Sequence, residues 1–265
     1  MSREWDAATY DRVSGPQVGW ARTVLDRLEL RGDETVLDAG CGSGRVTRML
    51  LERLPEGRVI AVDQDESMVA HAREALPPDR ATVCRADLAE LELDEQVDGV
   101  FSNAVFHWLP DHERLFRALA AALRPGGQLV AQCGGEGNVA RFLGVAAEVA
   151  AREPFAEQLE GWTGPWNFAG AEETAERLER AGFDEIETWL EPGAVVPDDP
   201  ENYLQTVCLG HHLEELPAPL RKDFVRDVLE RSGPELDYVR LNIVARRAVN
   251  DGRGPAQNQS AASGG

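Results

Sequence analysis

An α/β architecture, with a mostly parallel, doubly wound sheet covered by helices on both faces, is predicted by three observations. Short apolar, β-branched runs recur through the first half of the chain. Segments of helical periodicity separate them, and the first run ends in the glycine-rich turn of "VLDAGCGSGR" (36–45). Residues buried on both faces make continuous apolar runs rather than alternating ones, as in parallel strands under helices. Strand–helix alternation of this kind implies right-handed crossovers.

The elements follow in order. Val18, Ala21, Leu25 and Leu28 share one helical face, and Gly32 follows as a stop. Strands are predicted at 34–40, 57–63, 81–87, 97–103 and 126–133. Before the fifth, Leu115, Leu119 and Leu123 share a helical face, Pro110 suits the first turn, and "RPGG" ends the helix. Residues 138–160 read as helical, and "GWTGPWNFAG" (161–170) as a turn-rich aromatic loop. A helix stopped by Gly182 leads into a sixth strand, residues 199–231 hold more helix, and "LDYVRLNIVARRA" (236–248) is a seventh strand. The two late strands are expected as a hairpin-like pair on the sheet edge. The tail 249–265 lacks core-forming residues and is expected to be disordered.

Composition narrows the function. Lys and Arg total 27 against 47 Asp and Glu, a formal net charge of −20. Such a chain is repelled by phosphate backbones and anionic lipid heads, so neither nucleic acid nor membrane is expected as a partner, and a cationic ligand is favoured. No window approaches the roughly 20 apolar residues of a membrane span, and "MSREWDAATY" carries no secretory signal. Cys41, Cys84, Cys133 and Cys208 lie far apart with no metal-type spacing. They read as reduced thiols of a cytoplasmic protein, and no metal is expected.

The glycine turn carries chemistry. Gly40, Gly42 and Gly44 follow Asp38, and a dinucleotide fingerprint would need glycine where Arg45 stands. A carboxylate before the turn suits an amino group or sulfonium better than a pyrophosphate. Asp63 ends the second strand, 19 residues after Gly44, where an acid accepts hydrogen bonds from both hydroxyls of a ribose. The neighbouring Asp65 or Ser67 suits the helix N-cap. Asp87 ends the third strand, within reach of an amino group. Three acids at successive strand ends point to one crevice, where such sheets bind ligands.

"VLDAGCGSGR", "VIAVDQDESMV", "CRADLAEL", "VFSNAVFHWLPDHERLF" and "LRPGGQLV" together resemble the ordered motifs of class I S-adenosylmethionine-dependent methyltransferases. "EWDAATYD" and "NAVFHWLPDHERLF" resemble the trans-aconitate methyltransferase-like group, which methylates small-molecule carboxylates. The resemblance implies a Rossmann-like seven-stranded sheet with an antiparallel edge strand and a helical lid. It implies one methyltransferase domain over 1–248, with cap helices in 1–30, a cofactor core in 31–135 and lid segments in 136–170 and 199–235. It assigns Asp38, Gly40, Cys41 and Gly42 to the methionine moiety, Asp63 to the ribose, and Gln64 and Met68 to the adenosine. Asp87 and Leu88 take the adenine edge, Asn103 the carboxypropyl group, and Tyr10 closes over the cofactor.

His107 and Trp108, just beyond the fourth strand, are the candidate catalytic residues, the imidazole orienting an acidic group or serving as base for a phenol. Trp162, Trp166 and Phe168, with His211 and His212, are expected to wall the pocket, at most one histidine facing inward. Arg141, Arg152 and Arg240 are each expected as solvated surface arginines. The expected activity is O-methylation of an organic carboxylate by a monomer or homodimer. C- or O-methylation of an apolar, phenolic or isoprenoid compound and a catalytically idle sensor are the alternatives, and a nicotinamide reductase is disfavoured by Arg45 and Asp38.

Overall fold

A computed structural model describes residues 15–249, with side chains from residue 19 onward. Tyr10 lies outside the described residues. Seven strands form one sheet: β1 (Thr35–Ala39), β2 (Arg58–Asp63), β3 (Ala81–Arg85), β4 (Val97–Asn103), β5 (Leu123–Gly134), β6 (Phe183–Val195) and β7 (Leu236–Arg247). Their order is β3-β2-β1-β4-β5-β7-β6. The first five are parallel, and β7 runs antiparallel to both β5 and β6. β6 and β7 form the expected antiparallel pair on the sheet edge, β6 outermost and β7 between it and β5.

Strand periodicity explains the apolar runs. Leu37, Ala39, Ile60 and Val62 bury into the core on one face of the sheet, while Val36, Val59 and Ala61 bury into that on the other. Both faces are dry, so neither needs polar residues. Helices α1 (Gly15–Leu25), α2 (Arg45–Glu52), α3 (Glu66–Ala75) and α4 (His112–Ala122) cover this half. α4 starts from Asp111, whose side chain accepts from the Arg114 N–H, rather than at Pro110, and "LRPGG" opens β5. Asp65 caps α3 by accepting from the Met68 N–H.

Beyond β5 the chain builds a second layer from α5 (Ala140–Ala150), α6 (Ala156–Leu159), α7 (Ala171–Ala181), α8 (Pro200–Tyr203), α9 (Gly210–Glu215) and α10 (Ala218–Ser232). α7 ends at Gly182 and packs on the sheet. The others enclose their own core of Phe142, Phe155, Tyr203, Phe224 and Val228. Strand order reverses between β1 and β4, the switch point at which such sheets open a crevice.

Candidate active site

The loop after β1 is held from below. The N–H groups of Gly40 and Cys41 both donate to the Val62 carbonyl, at 2.8 and 2.9 Å. Asp63 then locks loop to helix: its Oδ2 accepts from Gly42 N and its Oδ1 from Asp65 N, each at 2.9 Å. A carboxylate has about four acceptor positions, so both oxygens retain capacity for a ligand's hydroxyls. Burial pushes the Asp63 pKa up, and the backbone N–H groups pull against it. Gly40, at φ +91, has no room for a side chain, because a Cβ would lie 2.2 Å from Val105. A Cβ on Gly42, at φ +54, would meet nothing within 4 Å. The turn leaves bare backbone facing open space, and that space is the crevice.

A cavity of about 330 Å³ runs from this loop across the tips of β4 and β5. Gly40, Gly42, Asp63, Gln64, Asp65, Met68, Asp87 and Leu88 line one end. Asn103 and His107 lie between, and Trp20, Trp108, Asn138, Trp166, Phe168, Tyr238 and Arg240 line the other end. After β4 the chain turns sharply: Ala104 takes φ +63, rare for a residue with a side chain, and donates to the Gln132 carbonyl at 2.7 Å. The 3₁₀ turn Phe106–Trp108 follows, its Phe106 carbonyl accepting from His112 Nε2 at 2.9 Å.

That turn fixes His107. Its Nδ1 accepts from the backbone N–H of Gly134 at 3.2 Å. Burial, aided by the nearby His112, lowers its pKa to about 3, so the ring is neutral at pH 7. A neutral imidazole accepting at Nδ1 carries its proton on Nε2. His107 therefore offers the cavity a donor, and the role of base considered from sequence does not fit this tautomer.

Arg240 departs furthest from expectation. It is only 9% exposed, with Nη2 3.3 Å from Glu191 Oε1 and the guanidinium 4.7 Å from the Trp20 ring centroid. Its burial follows from the place of β7 inside the sheet. Arg141 and Arg152 are exposed, as expected. Asn242, fully buried, accepts from Arg27 Nη1 and Gln132 Nε2 at 2.6 Å each, and donates to Glu191 Oε2 at 3.2 Å.

Asp38 and Cys41 are not brought to the cavity wall. Asp38 shares the strand face of Val36, so it points beneath the loop, where the Thr47 hydroxyl donates to it at 2.6 Å. Burial, opposed by that bond and reinforced by Asp63, raises its pKa to about 7. Of the three strand-end acids, only Asp63 and Asp87 reach the crevice, and Asp65 joins them. Of the histidine pair, His211 lines the cavity, while His212 packs 4.3 Å from Trp162 in the helical core. Trp162 backs Trp166 at 5.7 Å instead of lining the wall. Sequence reasoning passed over Trp20, Asn138 and Tyr238. For Arg240 the signal was an arginine amid the apolar run of β7.

Among the described residues, no group of three His, Cys, Asp or Glu side chains is placed to hold a metal ion. Residues 36–127 match the family described as methyltransferase domain. The trans-aconitate 2-methyltransferase of Methylobacterium nodulans is 34% identical over 189 residues, covering 71% of this chain and 67% of that protein. Its counterpart from Azoarcus sp. strain BH72 is 41% identical over 128 residues, covering 48% of this chain and 50% of that protein. The chain thus spans half to two thirds of the length of these relatives. Among solved structures, phosphoethanolamine N-methyltransferase 2 of Haemonchus contortus, in complex with phosphomonomethylethanolamine and S-adenosylhomocysteine, has a TM-score of 0.59 at 20% identity. That match covers 91% of this chain and 56% of the other, and is a likeness of fold.

Proposed function

Given that the chain belongs to the methyltransferase family that includes the trans-aconitate 2-methyltransferases, we propose that it is an S-adenosylmethionine-dependent enzyme that methylates an oxygen of a small organic carboxylate. The observation that carries this reading is one continuous cavity with a carboxylate-and-glycine cradle at one end and neutral or cationic donors at the other. Asp63 would hold the ribose hydroxyls, Met68 and Leu88 would pack on the adenine, and Asp87 would accept from its amino group. Gln64 would flank the nucleoside, while Gly40 and Asn103 would face the methionine portion. Asp38 and Cys41 would act from below, through the shape of the loop.

When bound, S-adenosylmethionine supplies a methyl group whose bond to a sulfonium breaks, its electron pair passing to sulfur, as a carboxylate oxygen bonds to the carbon. The residues of the chain then have one main task, to hold the oxygen in line. Such positioning supplies on the order of 7–11 kcal/mol. A carboxylate, with an ordinary pKa near 4, is already ionised and needs no base. A cavity whose histidine presents a proton is suited to that substrate and not to a phenol. His107 donates to the bound acid and Trp108 packs beside it.

Residues 31–135 serve as the cofactor core, with 136–170 and 199–235 over the substrate. No helix of the described residues is long and apolar enough to cross a membrane. With a net charge of −20, the protein is read as a cytoplasmic monomer or homodimer acting on a small molecule and not on nucleic acid. Incubation with methyl-labelled cofactor and a panel of organic acids, phenols and prenyl compounds tests the assignment. Label is expected in methyl esters alone. Label in phenols or on carbon overturns the carboxylate reading, and no transfer despite cofactor binding leaves an idle sensor.

A further inference from the structure

We infer that the acid taken by this site is a monocarboxylate with an aromatic or similarly apolar body, read by Arg240; this rests on the carboxylate reading above. Trans-aconitate, named by the relatives, carries three carboxylates, and the far end of the cavity is not built for three.

Among the described residues, Arg240 is the one arginine or lysine on the cavity wall. Stacked on Trp20 and tethered to Glu191, it nevertheless leaves Nε buried with no hydrogen-bond partner. Nε itself is enclosed, so a ligand meets Arg240 through the atoms that line the cavity, and a carboxylate is the partner a guanidinium pairs with most strongly. The guanidinium lies so close over Gly193 that a Cβ there would come within 2.9 Å of Nη2. The bare backbone at Gly193 thus leaves the guanidinium room to lie against β6.

A second donor lies alongside. Arg240 is the cross-strand partner of Gly134 in the β5–β7 ladder, and Gly134 is the residue whose N–H holds His107. Directly opposed residues stand about 5 Å apart. Arg240 and His107 thus line the same cavity from neighbouring strands, the guanidinium lying toward β6 and the imidazole held at the tip of β5.

Around them the wall turns apolar. Trp166 and Phe168 lie nearly parallel, 8° apart with centroids 6.2 Å distant, and Trp108, Leu143 and Val207 add apolar surface, with Asn138, His211 and Tyr238 the polar groups among them. A second or third carboxylate here would be removed from water with no further arginine or lysine among the described residues to face it, which is unfavourable for a charged group. An aryl or alkyl body gains instead from each ring it touches.

Calorimetric titration of the full chain, first with S-adenosylhomocysteine and then, saturated with it, with three probes, tests this. The probes are 3-phenylpropanoate, its neutral amide and trans-aconitate. The propanoate is expected to bind at least about tenfold more tightly than either other probe, one charged hydrogen bond corresponding to roughly 10- to 150-fold. Arg240→Met should lose that same factor for the propanoate while keeping its affinity for the amide and for S-adenosylhomocysteine. The comparison of the three probes on the unaltered protein stands even if the variant fails to fold. Trans-aconitate binding as tightly as the propanoate, acid and amide binding alike, or neither acid binding to the saturated protein overturns the inference. Failure to bind S-adenosylhomocysteine overturns the methyltransferase assignment, and the inference with it.

Discussion

The two ends of the cavity hold their ligand-facing groups by different means. At the Asp63 end, one stretch of chain from Gly40 to Leu88 supplies the wall, and backbone N–H groups fix the side chains: Gly42 and Asp65 onto Asp63, Ala89 onto Asp87. At the Arg240 end the wall comes from α1, the turn after β4, the end of β5 and the start of α5, the 161–170 loop, the segment before α9, and β7. There side chains fix Arg240, through Trp20, Glu191 and Asn242, while of the histidine only the ring nitrogen is held by backbone, at Gly134. Local backbone geometry makes one end, and topology the other. Variants at the first should therefore act through loop shape, and at the second through burial and charge.

The largest expected contrast is in pH. Asp38, raised to about 7 from 3.8, keeps in the native state a proton that the unfolded chain releases, so its contribution to stability is lost as pH rises from about 4 to 7. His107 and His212, both lowered to about 3 from 6.5 by burial, remain neutral where the unfolded chain is charged. Their contribution is lost as pH falls from about 6.5 toward 3. Each full shift is on the order of 4 kcal/mol. In urea unfolding from pH 4 to 7, Asp38→Asn is expected to remove the loss toward pH 7 and His212→Gln part of the loss toward pH 4. A variant whose profile overlays that of the parent breaks the assignment for its residue.

Next come the two loop glycines. Gly40→Ala drives a methyl into Val105 at a positive φ and should cost about 2–4 kcal/mol in denaturant unfolding. Gly42→Ala, whose methyl enters open space, should cost about 1 kcal/mol yet weaken S-adenosylhomocysteine binding by tenfold or more, as an order of magnitude. Unchanged affinity in the second would show that the loop does not face the nucleoside. Asp63→Ala removes the acceptor of two N–H groups and of the ribose, and is expected to weaken that binding by about 1–3 kcal/mol. The smallest effect is expected for Arg85→Ala, which breaks an exposed pair with Glu66 near the same end. Stability should change by less than about 1 kcal/mol; a larger loss would mean that surface charge, and not backbone, supports the cradle.

This division also explains what could be read in advance. The strands, the glycine turn, and the places of Asp63, Met68 and Asp87 follow from short-range pattern, because a parallel strand buried on both faces and the turn at its end are local features. Asp38 was misplaced because strand alternation, counted from Val36, turns it toward Thr47 and away from the tip. The α4 start was misplaced because the Asp111 side chain, not the proline ring, supplies the cap. Arg240 was hidden for a longer-range reason. Chain order suggests β6 and β7 as an outer pair, which they are, but not that β7 is its inner member beside β5, where its arginine becomes an interior residue.

A crystal structure of the protein with S-adenosylhomocysteine tests the central claim most directly. The account predicts the ribose hydroxyls on Asp63 and the adenine between Met68 and Leu88, with the pocket between His107 and Arg240 left open for the acid. A nucleoside seated against Trp166 and Arg240, or outside this cavity, would contradict it.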